Sequence, residues 1–141
     1  LPQIDVFLEN GYTKEEMKMS WETKKILDSS IEVNATCVRV PVFYGHSEAV
    51  HFETKTPISV EEIRALLRDA PGVVLMDDQV PVGYPTPVTD SAGKDAVAVG
   101  RIRKDISHPN GIDMWIVGDN VRKGAATNSI QIAEVLIKDY L

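Results

Sequence analysis

Two copies of one helix-start signal, the capping box, set the framework of this 141-residue chain. Thr13 is followed at the third position by Glu16, and Ser59 is followed in the same way by Glu62. In a capping box the hydroxyl and the carboxylate each accept a hydrogen bond from a backbone N–H group that lacks a partner in the first helical turn. The spacing therefore predicts one helix over about 14–27 and a second helix that begins just after Ser59.

Runs rich in β-branched residues lie between and after these helices and predict strands. A turn is expected at Gly45 between the first two runs, and another at His-Pro-Asn-Gly between the last two. A final helix is expected over about 121–140, capped by Asp119 or Asn120. The order helix, strands, helix, strands, helix predicts an α+β fold with helices on one face of a mixed or antiparallel sheet. The predicted strands are 31–45, 46–56, 73–78, 96–107 and 111–119, and residues 79–95 are expected to form a long surface connection.

Composition and charge exclude several classes of partner and site. The net charge is −6, whereas nucleic acids and anionic membranes attract clustered cations, so we expect neither as a partner. No apolar run approaches the ~20 residues that cross a bilayer, and no secretory signal is recognisable, so we expect a cytoplasmic protein. The single cysteine excludes an internal disulfide and a cysteine-based zinc site, and no other spacing of ligands indicates a metal.

Glu15 and Lys18 are three positions apart on the first predicted helix and are therefore neighbours on its surface. Such a pair is commonly a solvated ion pair worth about 0.3 kcal/mol. The alternative is a clamp for a zwitterion, in which Glu15 holds an ammonium group and Lys18 holds a phosphate or carboxylate. The spacing alone leaves both interpretations open.

Arg39 and His46 form the second candidate pair. If the chain turns at Gly45, the two side chains converge at the mouth of the predicted hairpin. Arginine holds a carboxylate in a planar, two-pronged contact, and histidine transfers protons near neutral pH. The alternative is an arginine in a structural salt bridge and a histidine in a loop.

The remaining reactive side chains are interpreted as structural. Cys37 lies inside a run of β-branched residues, where a cysteine is usually buried and inert, so we expect a core residue and not a nucleophile. His51 alternates along a strand, and His108 precedes Pro109 in a turn. We expect neither histidine to take part in chemistry.

Four segments in order resemble one enzyme family. They are GYTKEEMKMSWETKKIL, CVRVPVFYGHSEAV, GRIRKD and DNVRKGAATNSIQIAE, and the most specific is Cys-Val-Arg with a histidine seven positions after the arginine. Over nearly all of its length the chain resembles the C-terminal, catalytic and dimerisation part of aspartate-semialdehyde dehydrogenase. The resemblance implies a domain like the C-terminal domain of glyceraldehyde-3-phosphate dehydrogenase, and a homodimer or higher homo-oligomer.

The resemblance also implies an activity and a role for each candidate residue. The family reduces β-aspartyl phosphate to aspartate β-semialdehyde and phosphate with NADPH, in the biosynthesis of lysine, threonine and methionine. Arg39 matches the arginine that binds the substrate α-carboxylate, and His46 matches the acid/base that handles the proton at the thiohemiacetal oxygen. Glu15 matches the residue that holds the substrate amino group, and Lys18 matches a residue of the phosphate site. Asn128 is the candidate that approaches the nicotinamide of NADP.

The same resemblance predicts that residues 1–141 are not a whole enzyme. In the family, the nucleophilic cysteine and the Rossmann domain that binds NADP lie upstream of the matched region, and Cys37 does not occupy the nucleophile position. We therefore expect 1–141 to be an incomplete C-terminal catalytic and dimerisation domain, inactive alone, whose partner is the missing N-terminal part of the same protein. The final helix, about 121–140, is expected to pack toward that nucleotide domain, and the isolated piece is expected to expose apolar surface.

Two other functions remain open. One is a non-catalytic dimerisation module with the same fold, but a scaffold needs no charged groups directed at a small zwitterion. The other is a related acyl-phosphate reductase, such as the N-acetylglutamyl-phosphate type. Its substrate carries an acylated nitrogen, which would not need Glu15 as the partner of an ammonium group.

Overall fold

The computed structural model describes every residue from Leu1 to Leu141 and divides into two units, Leu1–Pro41 and Val42–Leu141. The first unit contains one helix, α1 (Lys14–Ile26), which begins as the sequence predicted. Its capping box is complete, because Thr13 Oγ1 accepts from the Glu16 N–H and Glu16 Oε2 accepts from the Thr13 N–H. Two lysines in the last turn complement the negative end of the helix dipole.

The predicted strand over 31–45 is wrong. No residue of this range is in a strand, and the hairpin expected at Gly45 is therefore not formed. A strand requires a neighbouring backbone with which to form a ladder. Here the Cys37 N–H instead donates to the carboxylate of Glu16, and the Arg39 N–H donates to the carbonyl of Leu1. Burial nevertheless alternates along this segment as it would in a strand, since residues 33, 35 and 37 are half-buried and their neighbours are exposed.

The second unit is built on a mixed sheet of four strands, in the order β1-β4-β3-β2. The strand β4 pairs antiparallel with both β1 and β3, and β2 pairs parallel with β3. The last two strands are joined by the predicted turn. This arrangement confirms the predicted α+β class with a mixed sheet. The strands are β1 (His46–Glu53), β2 (Val73–Leu75), β3 (Val97–Lys104) and β4 (Gly111–Gly118).

One face of the sheet is covered by α2 (Val60–Arg68), which begins at the predicted capping box. Ile63 of α2 packs with four buried side chains of β3 and β4, and Val50 and Phe52 of β1 lie against the same cluster. Each such isoleucine contributes roughly 1.5–3 kcal/mol through burial. The sheet side chains of the cluster are Val99, Ile102, Ile112 and Met114.

The connection 79–95 is less superficial than predicted. It contains a π-helical turn, Pro87–Ser91, and both Pro85 and Ser91 are fully buried. The Thr86 side chain caps this turn by accepting from the Thr89 N–H, so its polar backbone is satisfied locally. The segment thus has the proline- and threonine-rich composition of a surface loop, but part of it packs into the fold.

The chain ends in a π-helical turn, Arg122–Ala126, followed by α3 (Thr127–Tyr140). The single helix predicted over about 121–140 is therefore divided, and α3 begins at Thr127 without a side-chain cap. Asp119 accepts from the N–H groups of Val121 and Arg122, next to the π-helical turn, but it does not cap α3. Five large aliphatic side chains of α3 are each at least 48% exposed, in agreement with the expected exposure of apolar surface. They are Ile130, Ile132, Val135, Leu136 and Ile137. None of the helices combines the length and apolar character needed for a transmembrane span.

Candidate functional site

Glu15 and Lys18 lie in the first two turns of α1 and contact each other. Lys18 Nζ is 3.6 Å from Glu15 Oε1, and half of the Lys18 side-chain surface is exposed. An exposed pair of this kind contributes no more than about 1 kcal/mol, so either partner can exchange it for a ligand at little cost. The helix therefore presents one negative and one positive group side by side, as either interpretation of the spacing requires.

Arg39 lies in the same unit as this pair and is exposed. Its backbone N–H donates to the Leu1 carbonyl at 2.8 Å, and its carbonyl accepts from the Leu1 amino group at 2.9 Å. These two bonds restrain the backbone of Arg39. The position of its guanidinium is set by the rotamer of the side chain. An exposed guanidinium can bind a carboxylate through two parallel hydrogen bonds.

One buried carboxylate ties the Arg39 segment to α1. Glu16 Oε2 accepts from the Thr13 N–H at 2.8 Å, and Glu16 Oε1 accepts from the Cys37 N–H at 2.9 Å. These N–H groups, that of Thr13 first, hold the pKa of Glu16 below its ordinary value because they stabilise the ionised form. The capping role of Glu16 was predictable from spacing, but its link to Cys37 was not. Cys37 is half-buried, which is less than the core position expected of it.

His46 is the first residue of β1, in the second unit, and its side chain is exposed. It pairs in register with Gly118 at the end of β4. By alternation it lies on the same face of β1 as Val50 and Phe52, the face that α2 covers further along the sheet. The imidazole thus stands at one end of an edge strand, where solvent and a substrate can reach it.

The residue before His46 is held on three sides. Gly45 has φ +98°, and a Cβ at this position would lie 2.9 Å from Pro87 Cβ and 3.2 Å from Ser91 Oγ. Both the left-handed backbone and the lack of space require glycine here. The Gly45 N–H donates to Asn120 Oδ1 at 2.8 Å, 75 positions along the chain.

Asp119, next to Asn120, is buried and satisfies three N–H groups. Its Oδ2 accepts from the Gly93 N–H at 2.7 Å, and its Oδ1 accepts from the N–H groups of Val121 and Arg122 at 2.9 and 3.0 Å. These bonds, that from Gly93 first, hold the pKa of Asp119 below its ordinary value. The sequence predicted one residue of this pair as the cap of the final helix, but neither caps α3. Asp119 binds the N–H groups next to the π-helical turn, whereas Asn120 accepts from Gly45.

Asn128 is the second residue of α3 and is half-buried. The start of its helix is anchored by Asp95, which accepts from Thr127 Oγ1 at 2.7 Å and from Arg122 Nη1 at 2.8 Å. These bonds, that from Arg122 first, lower the pKa of Asp95 from its ordinary value. The Asn128 carboxamide offers both a donor and an acceptor, the pair that a second carboxamide requires.

The other two histidines belong to a group of ionisable side chains at the far end of the sheet. His51 Nδ1 lies 3.2 Å from Asp113 Oδ1, and its Nε2 lies 3.7 Å from Glu53 and 3.9 Å from Asp105. These carboxylates, with the Asp113 hydrogen bond first, raise the pKa of His51 above its ordinary value. His108 lies 3.8 Å from Glu53. Both histidines thus lie within 4 Å of carboxylates, which is compatible with the structural role predicted for them.

A cavity of about 410 Å³ lies beside Ala49 and Trp115, and its other walls include Tyr84 and Arg101. The indole N–H of Trp115 donates to the carbonyl of Pro85 at 3.0 Å and fixes the ring. None of the predicted site residues lines this cavity.

Comparison with known proteins was made by family model, by sequence and by structure. The model described as "Semialdehyde dehydrogenase, dimerisation domain" matches residues 1–123. Aspartate-semialdehyde dehydrogenase of Shewanella violacea is 65% identical over 141 residues, which is 99% of this chain and 41% of the relative. The enzyme of Aquifex aeolicus is 57% identical over 142 residues, covering 100% of this chain and 42% of the relative.

Two solved structures extend the comparison. Aspartate semialdehyde dehydrogenase II of Vibrio cholerae, complexed with ASA, is 60% identical with a TM-score of 0.94, covering 100% of this chain and 41% of that chain. The Candida albicans aspartate semialdehyde dehydrogenase with NADP is 30% identical with a TM-score of 0.73, covering 97% of this chain and 44% of that chain. The chain therefore spans well under half the length of the relatives it matches. On the family match over residues 1–123, the chain belongs to the semialdehyde dehydrogenase dimerisation-domain family.

Proposed function

We propose that residues 1–141 are the C-terminal catalytic and dimerisation part of an aspartate-semialdehyde dehydrogenase, and that the full-length protein reduces β-aspartyl phosphate to aspartate β-semialdehyde with NADPH. The observation that carries the proposal is the match of the entire chain to the Vibrio cholerae enzyme complexed with ASA, at 60% identity. The proposed location is the cytoplasm, where a reactive thiol stays reduced.

The substrate has three charged groups, and the first unit offers three complementary ones. In the proposal the Arg39 guanidinium binds the α-carboxylate, Glu15 binds the ammonium group and Lys18 binds the phosphate. The contact between Glu15 and Lys18 at 3.6 Å supports this assignment, because opposite charges on one helix surface match the opposite charges of one small substrate. An N-acylated substrate would offer Glu15 no ammonium group to bind.

The chemical step needs a cysteine from outside these 141 residues. Its thiolate attacks the acyl carbon, the carbon–oxygen bond to phosphate breaks, and a thioester and free phosphate result. NADPH, when bound, supplies the hydride that reduces the thioester. His46 then donates a proton to the carbonyl oxygen to give the thiohemiacetal, and takes that proton back as the carbon–sulfur bond breaks to release the aldehyde and the thiolate.

Asn128 is the residue of this chain proposed to meet the cofactor. Its carboxamide can exchange a donor and an acceptor with the carboxamide of the nicotinamide ring. The anchoring of α3 by Asp95 supports this role, because a cofactor contact from a helix start requires a start that does not fray.

We also propose a homodimer, as the family description names dimerisation. The surface proposed to dimerise is the open sheet face, defined as the face opposite α2 that carries Ala49, His51, Asp113 and Trp115. These residues pair across β1 and β4 in register and alternate with the residues of the core.

The experiment that tests the activity uses the full-length protein that contains this sequence. Formation of reduced NADP from aspartate semialdehyde and phosphate is followed by absorbance. His46→Ala is expected to lower kcat by about 10²–10⁴-fold, the usual contribution of a positioned acid/base. The matched control is His108→Ala, which removes a half-buried histidine between β3 and β4 and should leave kcat unchanged. Equal kcat and KM in wild type and His46→Ala would refute the assignment.

A further inference from the structure

The bond between Asn120 and Gly45 links two distant parts of the chain at the residue that precedes His46. Asn120 Oδ1 accepts from the Gly45 N–H at 2.8 Å, and both residues are half-buried. A half-buried N–H that loses its acceptor carries an energetic cost if it stays in place. The chain would avoid this cost by moving, and glycine is the residue whose backbone moves most readily.

A movement of Gly45 would be transmitted directly to His46. Gly45 directly precedes β1, and His46, opposite Gly118, is the first residue of the strand that is paired in register with β4. Pro87 and Ser91 already close the space into which a Cβ of residue 45 would extend. The hydrogen bond to Asn120 thus adds a polar restraint on Gly45 to the steric restraint from Pro87 and Ser91. Together, the two restraints set the direction in which the His46 side chain leaves the backbone.

Helix capping does not explain the Asn120 side chain. The N–H groups of Val121 and Arg122, at the start of the following helical turn, donate to Asp119 Oδ1. Asn120 Oδ1 is therefore directed away from the helix and toward the strand that carries His46. Asn120 lies between the buried Asp119 and the helical turn, which hold its backbone on both sides.

We propose that Asn120 is a positioning residue for His46, acting through the Gly45 backbone. The inference rests on the proposed function, in which His46 moves the proton at the thiohemiacetal oxygen. Loss of the Asn120 acceptor shifts the imidazole relative to a substrate that is held by other residues. The rate of the chemical step should therefore fall more than the affinity for substrate.

The test uses the full-length protein and three variants of one position. Asn120→Ala and Asn120→Leu remove the acceptor, and the second keeps most of the volume. Either variant is expected to lower kcat by about 10–100-fold, the cost of displacing a catalytic group by about 1 Å, with KM for aspartate semialdehyde changed less than about threefold. Asn120→Asp keeps an acceptor oxygen in the same place and should recover at least about tenfold in kcat over Asn120→Ala.

A control separates positioning from general stability. Asn110→Ala changes an asparagine in the turn between β3 and β4, at the opposite end of the sheet, and should leave kcat unchanged. A fall in melting temperature without a fall in kcat, or equal losses of kcat in the Ala and Asp variants, would overturn the inference. If Asn120→Ala is poorly folded, Asn120→Leu decides by the same criteria.

The failure of this inference is distinguishable from the failure of the proposed function. An inactive wild-type protein, or an active His46→Ala variant, would contradict the proposed function. With wild type active and His46→Ala inactive, kcat within about twofold of wild type in Asn120→Ala would overturn the positioning role alone. Amide exchange of Gly45 gives a readout without catalysis, and it should be faster in Asn120→Ala than in Asn120→Asp.

Discussion

At the scale of single residues, the first unit concentrates charge that its fold does not require. Glu15, Lys18 and Arg39 are all at least partly exposed, and the only ion pair among them is worth no more than about 1 kcal/mol. Glu16 differs from them, because it is buried and bonded to two backbone N–H groups. Within one turn of α1, therefore, one glutamate holds the fold together, while its neighbour, which is proposed to bind the substrate, makes only an exposed ion pair.

Arg39→Lys tests the proposed carboxylate contact. Lysine keeps the charge but loses the planar, two-pronged geometry, so kcat/KM for aspartate semialdehyde is expected to fall by about 10–100-fold in the full-length protein. Arg68→Lys, an exposed arginine on α2, is the matched control. Steady-state kinetics showing the same kcat/KM for Arg39→Lys and wild type would remove Arg39 from the site.

At the scale of elements, the two helices with capping boxes begin where the sequence places them because the signal is local. The hydroxyl, the carboxylate and the N–H groups that they bind lie within four residues. The segment 31–45 is rich in β-branched residues, which favour strands, but it forms no strand. Its outcome depends on partners far along the chain, and propensity does not supply them.

The capping box of α2 makes a prediction about pH. The N–H of Ser59, and then its hydroxyl, lower the pKa of Glu62 from its ordinary value. A lowered pKa means that the ionised form stabilises the fold, so this stability is complete above the usual glutamate pKa of about 4.3 and is lost as pH falls through the lowered value. The difference in melting temperature between wild type and Glu62→Gln should be largest above about pH 5 and narrow toward pH 3.

Glu61→Gln is the control for this measurement, since Glu61 lies in the same turn but outside the box. Its melting temperature should differ from wild type by a smaller amount than that of Glu62→Gln at neutral pH. A difference for Glu62→Gln that stays constant between pH 6 and pH 3 would show that the ionised carboxylate does not stabilise the helix.

At the scale of the whole molecule, the second unit leaves two apolar or mixed surfaces open. The open sheet face carries Trp115 and the adjacent cavity, and α3 exposes a row of large aliphatic side chains. Exposed apolar area of this extent usually marks contacts with other protein surfaces. The sheet face is proposed to meet a second copy, and α3 is proposed to meet the nucleotide domain of the same protein.

Ala49→Glu tests the dimer surface. Ala49 is exposed on β1 and pairs with Trp115, so a glutamate there would place a charge in the middle of the proposed interface. The dimer dissociation constant of the full-length protein, measured by light scattering over a dilution series, should rise at least about tenfold. Glu48→Gln, on the opposite face of the same strand, should leave it unchanged. An unaltered dissociation constant in Ala49→Glu would place the interface elsewhere.

Local rules in the sequence were sufficient for the starts of α1 and α2, the hairpin of β3 and β4, the α+β class and the family, since each depends on residues close together in the chain or on an ordered set of motifs. The start of α3 was predicted about six residues too early. The candidate residues Glu15, Lys18, Arg39, His46 and Asn128 also came from those motifs, and their roles stay predictions. Two hydrogen bonds depend on the tertiary structure alone: Glu16 accepts one from the Cys37 N–H, and Asn120 accepts the other from the Gly45 N–H. Both join a side chain to a backbone N–H more than 20 positions away, and such contacts form only when packing brings the two segments together.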